Sequence, residues 1–181
     1  MIQTKRLLLR QWQPSDFPLF AELCADSEVM KYFPSTLSRA ESDDFVARIQ
    51  GLIAERGWGL WAVEVPGVSD FIGFVGLHVP KDYLPFSPCV EIGWRLAKSY
   101  WGKGYASEAA KAALNYAFTE LQLDEVLSFT SVTNLPSQAV MKRIGMTNTH
   151  RNFMHPDIEA GHSLCEHVLY RLDRSEWPRG D

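Results

Sequence analysis

Cysteine is scarce in this 181-residue chain, and the three present (Cys24, Cys89 and Cys165) stand far apart with no CxxC pair. That excludes a disulfide scaffold and a cysteine-based zinc ribbon, and it points to reduced, mostly buried thiols in a cytoplasmic protein. Long apolar runs are missing too. The most apolar stretch, residues 71–79, is interrupted by Gly73, Gly76 and His78 and falls well short of the ~20 residues a membrane helix needs. The opening residues, Met1-Ile2-Gln3-Thr4-Lys5-Arg6, lack the apolar core of a signal peptide, so no targeting segment is expected. Positive charge is in deficit. Eighteen Lys and Arg against 22 Asp and Glu leave a net charge of −4, which argues against holding nucleic acid or an anionic membrane by bulk charge. Repeats, low-complexity tracts, charge blocks and linkers are absent.

What is present is an ordinary globular mixture, 46% hydrophobic and 22% charged. The length predicts one domain over residues 1–181, long enough to bury about two-thirds of its unfolded surface without a metal or disulfide staple.

Residues 5–12 carry Leu7, Leu8 and Leu9 and read as a first strand. Pro14-Ser15-Asp16 opens a helix to about Ala25. Ser38-Arg39-Ala40-Glu41 is a capping box, followed by Phe45, Ile49, Leu52 and Ile53 on one helical face. Residues 60–65, 71–79 and 89–96 read as three successive strands, with a proline-bearing loop over 80–88. Ala106, Ala109, Ala110, Ala113, Leu114, Ala117, Phe118 and Leu121 then form a narrow apolar stripe at helical spacing. A strand over 126–132, a short helix over 136–144 closed by Gly145, and strands over 146–153 and 166–172 complete the chain. Three strands with no helix between them imply an antiparallel meander, and the β-α-β that follows implies a parallel pair. The expected class is α/β (α+β), a mixed and mostly antiparallel twisted sheet of about seven strands.

Trp101-Gly102-Lys103-Gly104-Tyr105-Ala106 joins a strand to the alanine-striped helix. Small residues let a ligand approach the backbone, and the amides of the loop and first helical turn converge at the positive end of the helix dipole. Between Ile92 and Ala113 stand four basic residues (Arg95, Lys98, Lys103, Lys111) and one acid, Glu108. This is a local inversion of charge suited to a small polyanion. A P-loop is excluded, because GxxxxGK followed by Ser or Thr does not occur. A dinucleotide fingerprint fails on Ser107, where a third glycine belongs, and on the preceding meander, although Asp124 lies at the spacing of a ribose-binding acid. A turn that binds nothing explains GxG alone, but not the helix and basic cluster with it.

The stretch from Glu91 through Gly102-Lys103-Gly104 to Ala109 resembles the acyl-CoA pyrophosphate loop of the GNAT N-acetyltransferases. Together with Asn134-Leu135-Pro136-Ser137 and Lys142-Arg143-Ile144-Gly145-Met146, it resembles the branch that contains the ribosomal-protein N-acetyltransferases. The likeness runs from Thr4 to Leu172, with Trp101 standing where the wider superfamily has Gln or Arg. It implies a GNAT-like sheet with helices on both faces, acetyl-CoA as acetyl donor, no metal, and a homodimer as the assembly. It also implies a splayed strand whose backbone at Trp94, Arg95 and Leu96 pairs with the pantetheine arm of the donor. The amides of Trp101, Gly102, Lys103, Gly104, Tyr105 and Ala106 would hold the pyrophosphate, and Asn134 would bond the cofactor or cap the short helix, or do both.

Acetyl transfer to an amine requires a deprotonated nitrogen, a donor for the oxyanion and a proton for the leaving thiolate. Glu91 is the candidate base, with an ion pair to Arg95 as its structural alternative. The tyrosine acid of many relatives is replaced by Met141, and Ser137 matches the serine of the Rim-like branch. Ser137 would protonate the thiolate, or cap the helix and leave that to water. Tyr32 and Phe33, after the first helix, and His155, between the last two strands, are expected to wall the acceptor side, with core packing or a surface loop as the other reading. His150, His155, His162 and His167 cluster late in the chain but lack metal-ligand spacing. The function expected is direct transfer from acetyl-CoA to a primary amine, a protein N-terminus or a small molecule; a catalytically silent acyl-CoA-binding module is the alternative. Surplus acid, if it lines the acceptor side, would favour a cationic amine.

Overall fold

The computed structural model describes residues 1–178. Its centre is a nine-stranded sheet in the order β1-β2-β3-β4-β5-β6-β9-β7, with β8 also paired to β9. The first strands are β1 (Ile2–Gln3), β2 (Leu8–Arg10), β3 (Leu60–Val65), β4 (Ser69–His78) and β5 (Glu91–Leu96). All four neighbouring pairs among them are antiparallel. The rest are β6 (Glu125–Ser131), β7 (Thr147–Asn148), β8 (Phe153–Met154) and β9 (Glu166–Asp173). Among the described residues only β5 and β6 run parallel, as the crossover helix between them requires.

Four helices cover the sheet: α1 (Asp16–Ala25), α2 (Arg39–Arg56), α3 (Tyr105–Thr119) and α4 (Leu135–Arg143). The capping box of α2 forms as read, the Ser38 side chain taking the Glu41 amide and Glu41 returning to the Ser38 amide. Phe20 of α1, Phe45 of α2, and Trp12, Phe71 and Phe74 of the sheet side pack into one aromatic cluster. On the opposite face Ala109, Ala110, Ala113 and Ala117 are fully buried, and Tyr116 meets Trp61 edge-on at 5.5 Å. Helices therefore lie on both faces. No helix of the described residues is long and apolar enough to cross a membrane.

The expected strand over 146–153 is instead two short pieces. Between them His150 takes a left-handed φ of 56°, and the Asn148 side chain accepts its amide at 2.8 Å. That Asx-type turn lifts the chain off β9 where no glycine announces a break. The count rises from about seven strands to nine through this split and through the two-residue β1.

Gly73 explains how β4 and β5 come so close. A Cβ there would stand 2.1 Å from the Arg95 carbonyl oxygen, and its φ is 133°. No other residue fits that approach.

Candidate active site

β5 and β6 share a single pairing, Glu91 with Leu127, closed by the Leu127 amide donating to the Val90 carbonyl at 3.0 Å. Beyond it the strands part. The Ile92 carbonyl takes the Ser128 hydroxyl at 2.9 Å, and the Leu96 carbonyl takes the Trp101 indole N–H at 2.8 Å. Alternation along a strand then turns the amide and carbonyl of Trp94, which lies between them, into the same gap. The splay leaves an unpaired strand edge in a cavity of about 1210 Å³.

At one end of this cavity is the glycine loop. Gly102 and Gly104 take left-handed φ of 72° and 80°, and Gly104 is the N-cap of α3. The backbone amides of residues 102–107 find no acceptor among the described residues. Six free donors at a helix N-terminus make an anion cradle. The loop is braced from the far end of the sequence. Arg6 donates to the Lys103 carbonyl at 3.0 Å, ion-pairs with Glu108 at 2.7 Å and lies 4.7 Å from the Tyr105 ring centroid. Thr4 also donates to Glu108, at 2.7 Å. The one acid of the basic segment is thus neutralised, and against its burial the Thr4 hydroxyl and then the Arg6 contacts hold its carboxyl below the usual range. Arg143, on the last turn of α4, lines the cavity and donates to Ser107 at 3.3 Å. Sequence reading missed it, because a cation in a final helical turn reads as a dipole partner.

Asn134 is the N-cap of α4. Its Oδ1 accepts the Ser137 amide at 3.2 Å and its Nδ2 donates to Thr130 at 2.9 Å. Ser137 Oγ accepts the Trp94 indole N–H at 3.3 Å, so its own proton remains free to point into the gap. Both residues line the cavity.

On the α1–α2 face, β5 presents Glu91, Gly93 and Arg95. Glu91 is 9% exposed, and burial pushes its carboxyl well above the ordinary value. It does not pair with Arg95. Its neighbour is His78, opposite it in register, with Nδ1 3.4 Å from the carboxyl. Burial, then the charges of Arg48 and Arg56, push the His78 imidazole down to about 4. In the sequence His78 is only a break in an apolar run; its place beside Glu91 depends on the β4–β5 register, which spacing does not disclose.

Tyr32, Phe33 and His155 all line the same cavity. His155 stands 4.9 Å from His167, centroid to centroid, and these two pack with Phe129 and Phe153. Burial pushes His167 down to about 4 and lowers His155. No three His, Cys, Asp or Glu side chains converge as metal ligands among the described residues. All three cysteines are free, with Cys24 and Cys165 buried.

Comparison with known proteins agrees with this geometry. The acetyltransferase (GNAT) domain family matches residues 6–147. An uncharacterized N-acetyltransferase of Bacillus subtilis, YnaD, is 34% identical over 179 residues, covering 97% of this chain and 98% of that protein. The FsC-acetyl coenzyme A-N(2)-transacetylase of Aspergillus fumigatus is 36% identical over 135 residues, covering 65% of this chain and 55% of that one. Among solved structures, a GNAT-family acetyltransferase from Bacillus anthracis superposes with a TM-score of 0.80 at 30% identity, covering 97% of this chain and 99% of that one. The fold and the family define an acetyl-CoA-dependent N-acetyltransferase. The chain belongs to the GNAT acetyltransferase family.

Proposed function

We propose that this protein transfers the acetyl group of acetyl-CoA directly to a primary amine, with Glu91 as general base and Ser137 as proton donor to the departing thiolate. The observation that carries this reading is the splayed β5 edge, with a buried carboxyl on one side and a free hydroxyl on the other. The residues present fit the donor. The amides of residues 102–107, with Lys103 and Arg143 beside them, suit a pyrophosphate; the amide and carbonyl of Trp94 suit the amide groups of a pantetheine arm. When bound, acetyl-CoA supplies a thioester carbon open to attack.

Glu91 takes the ammonium proton, directly or through one water, and His78 beside it offers a path for that proton to solvent. The amine nitrogen then forms the C–N bond, and the C–S bond breaks. Ser137 passes its hydroxyl proton to sulfur, and the second proton of the acylated nitrogen returns through water to Ser137 as the amide forms. No covalent bond to the enzyme forms. Tyr32, Phe33 and His155 wall the side from which the amine enters. The name of the fungal relative, an acetyl coenzyme A N-transacetylase, supports transfer to nitrogen.

Mixing the protein with acetyl-CoA and a panel of peptides, polyamines, aminoglycosides and amino acids, and following thiol release, tests the reading. Release that depends on one acceptor class supports it. Absence of release with every amine, while CoA still binds, leaves the silent acyl-CoA-binding module in its place.

A further inference from the structure

Among the described residues, the two most enclosed arginines are treated very differently. Arg10 is 6% exposed and fully engaged. It bonds Asp16 at 2.7 Å and Glu64 at 2.9 Å and also donates to the Asp70 carbonyl. This is how a fold normally satisfies a guanidinium taken from water. Arg95 has nothing comparable. Its guanidinium carbon sits 4.3 Å from the Phe33 ring centroid, 5.5 Å from Phe74, 5.6 Å from Phe45 and 5.8 Å from Phe20. Its Nη1 donates to the Cys24 thiol at 3.3 Å, and its Nε is buried without any hydrogen-bond partner. No carboxylate of the described residues reaches it, and burial alone pulls its pKa down. Yet Arg95 lines the cavity, on the same strand face as Glu91.

The charges around it lean the same way. Lys31, Arg48 and Arg56 line the cavity and have no acidic partner among the described residues. Apart from Glu91, whose carboxyl burial pushes up, the acids there are occupied: Glu28 meets Lys98 at 3.6 Å, and Asp157 holds Lys81 at 2.9 Å and the Tyr83 hydroxyl. The surplus acid of the chain does not line the acceptor side, so the charge argument for a cationic acceptor fails. With Nη1 spent on Cys24, the unpaired Nε and Nη2 are the side-on edge of the guanidinium, whose two parallel N–H groups match a carboxylate.

We infer that the amine acceptor carries a carboxylate, and that Arg95 receives it through Nε and Nη2 while the amine lies toward Glu91. This rests on the acetyl-transfer reading above and names its substrate class. Phe33, 40% exposed and stacked on the guanidinium, is the side chain that swings aside to admit the carboxylate. The carboxylate itself takes no part in bond making; it fixes the amine against the thioester.

The test compares each acceptor with its neutral counterpart: amino acids, dipeptides and ω-amino acids against their own C-terminal amides, with polyamines as carboxylate-free controls. In the wild type, the best acid is expected to exceed its amide in kcat/KM by roughly a hundredfold, the scale of effect when a buried charge is left without its charged partner. Arg95→Gln is expected to collapse that ratio, mainly through KM for the acid, and Arg95→Lys to restore part of it. Amides or polyamines acetylated as well as the best acid would overturn the inference while leaving acetyl transfer intact. If no amine at all is acetylated, the catalytic reading fails, and heat stabilisation of the CoA-loaded wild type decides the arginine separately. Stabilisation by acids and not by amides upholds a carboxylate site at Arg95; equal or no stabilisation removes it.

Discussion

Glu91 and His78 are adjacent groups that burial drives in opposite directions. The carboxyl is pushed well up and the imidazole down to about 4, so Glu91 keeps its proton to a higher pH than an ordinary carboxyl does, beside an imidazole that is neutral above about 4. A base in that state is inactive. Acetyl transfer should therefore rise with pH as Glu91 ionises, through a midpoint above the ordinary carboxylate range. Removing a positioned base typically costs about 10²–10⁴ in rate, so Glu91→Gln should lower kcat by at least the smaller of these factors and flatten the rising limb. Thiol release followed from pH 5 to 9 reads both effects. A Glu91→Gln variant that keeps the rate and the limb would take Glu91 out of the reaction. The proposed role of this residue is legible in the sequence, because an acid amid Val90, Ile92 and Trp94 on the strand leading to the glycine loop is a candidate base on chemical grounds. Its partner is not. Arg95 stands four residues along the same strand, yet the aromatic cage draws it away and a histidine 13 positions upstream takes its place.

At the scale of elements, α1 is held by a buried ionic node. Asp16 opens the helix and is 1% exposed. It takes Arg10 of β2 through both oxygens, at 2.7 and 3.0 Å, and the Gln13 amide at 2.8 Å. Arg10 reaches on to Glu64 of β3 at 2.9 Å and to the Asp70 carbonyl at the start of β4. The node ties one helix to three strands, and α1 carries Phe20 and Cys24 of the Arg95 cage. Breaking a buried pair from one side leaves an uncompensated charge and costs about 3–5 kcal/mol. Asp16→Ala should lower stability by that amount, seen as a lower urea midpoint with the slope unchanged. The double variant Arg10→Met with Asp16→Leu should recover most of the loss, since it removes both charges. A single-variant loss below about 1 kcal/mol, the worth of an exposed pair, would contradict the node. The elements themselves were largely legible. The bounds of β3 and the start of α2 behind Ser38 agree with the sequence, because strand propensity and a capping box are local. The break at His150 was not legible, since a left-handed non-glycine residue leaves no mark in the sequence. The node was equally hidden: Arg10, Asp16, Glu64 and Asp70 are brought together only by the β2-β3-β4 pairing.

For the whole molecule, the sheet is two half-sheets, β1 to β5 and β6 to β9, joined by a single pairing. A nine-stranded sheet with such a weak seam is incomplete on its own, and the free groups on either side show what completes it. The amide and carbonyl of Trp94 face the gap, and the amides of residues 102–107 wait at its end. A ligand that fills both sites acts as a substitute strand with an anionic head. Binding to the folded state alone stabilises by RT ln(1 + [L]/Kd), about 2.7 kcal/mol at a hundredfold excess over Kd. For a chain of this length that corresponds to a rise of about 5–10 °C in Tm. Acetyl-CoA or CoA should give that rise and should slow hydrogen exchange at the Trp94 amide and at residues 102–107 together, because one molecule spans both. Adenosine 3′,5′-bisphosphate, which lacks the pantetheine arm, should slow exchange at residues 102–107 at most. NAD(H), whose fingerprint fails at Ser107, should do neither. Protection by CoA at the loop without protection at Trp94 would mean that the arm does not enter the seam, and the splay would then need another explanation. Protection at both sites would make the weakest point of the sheet the place where the donor is held.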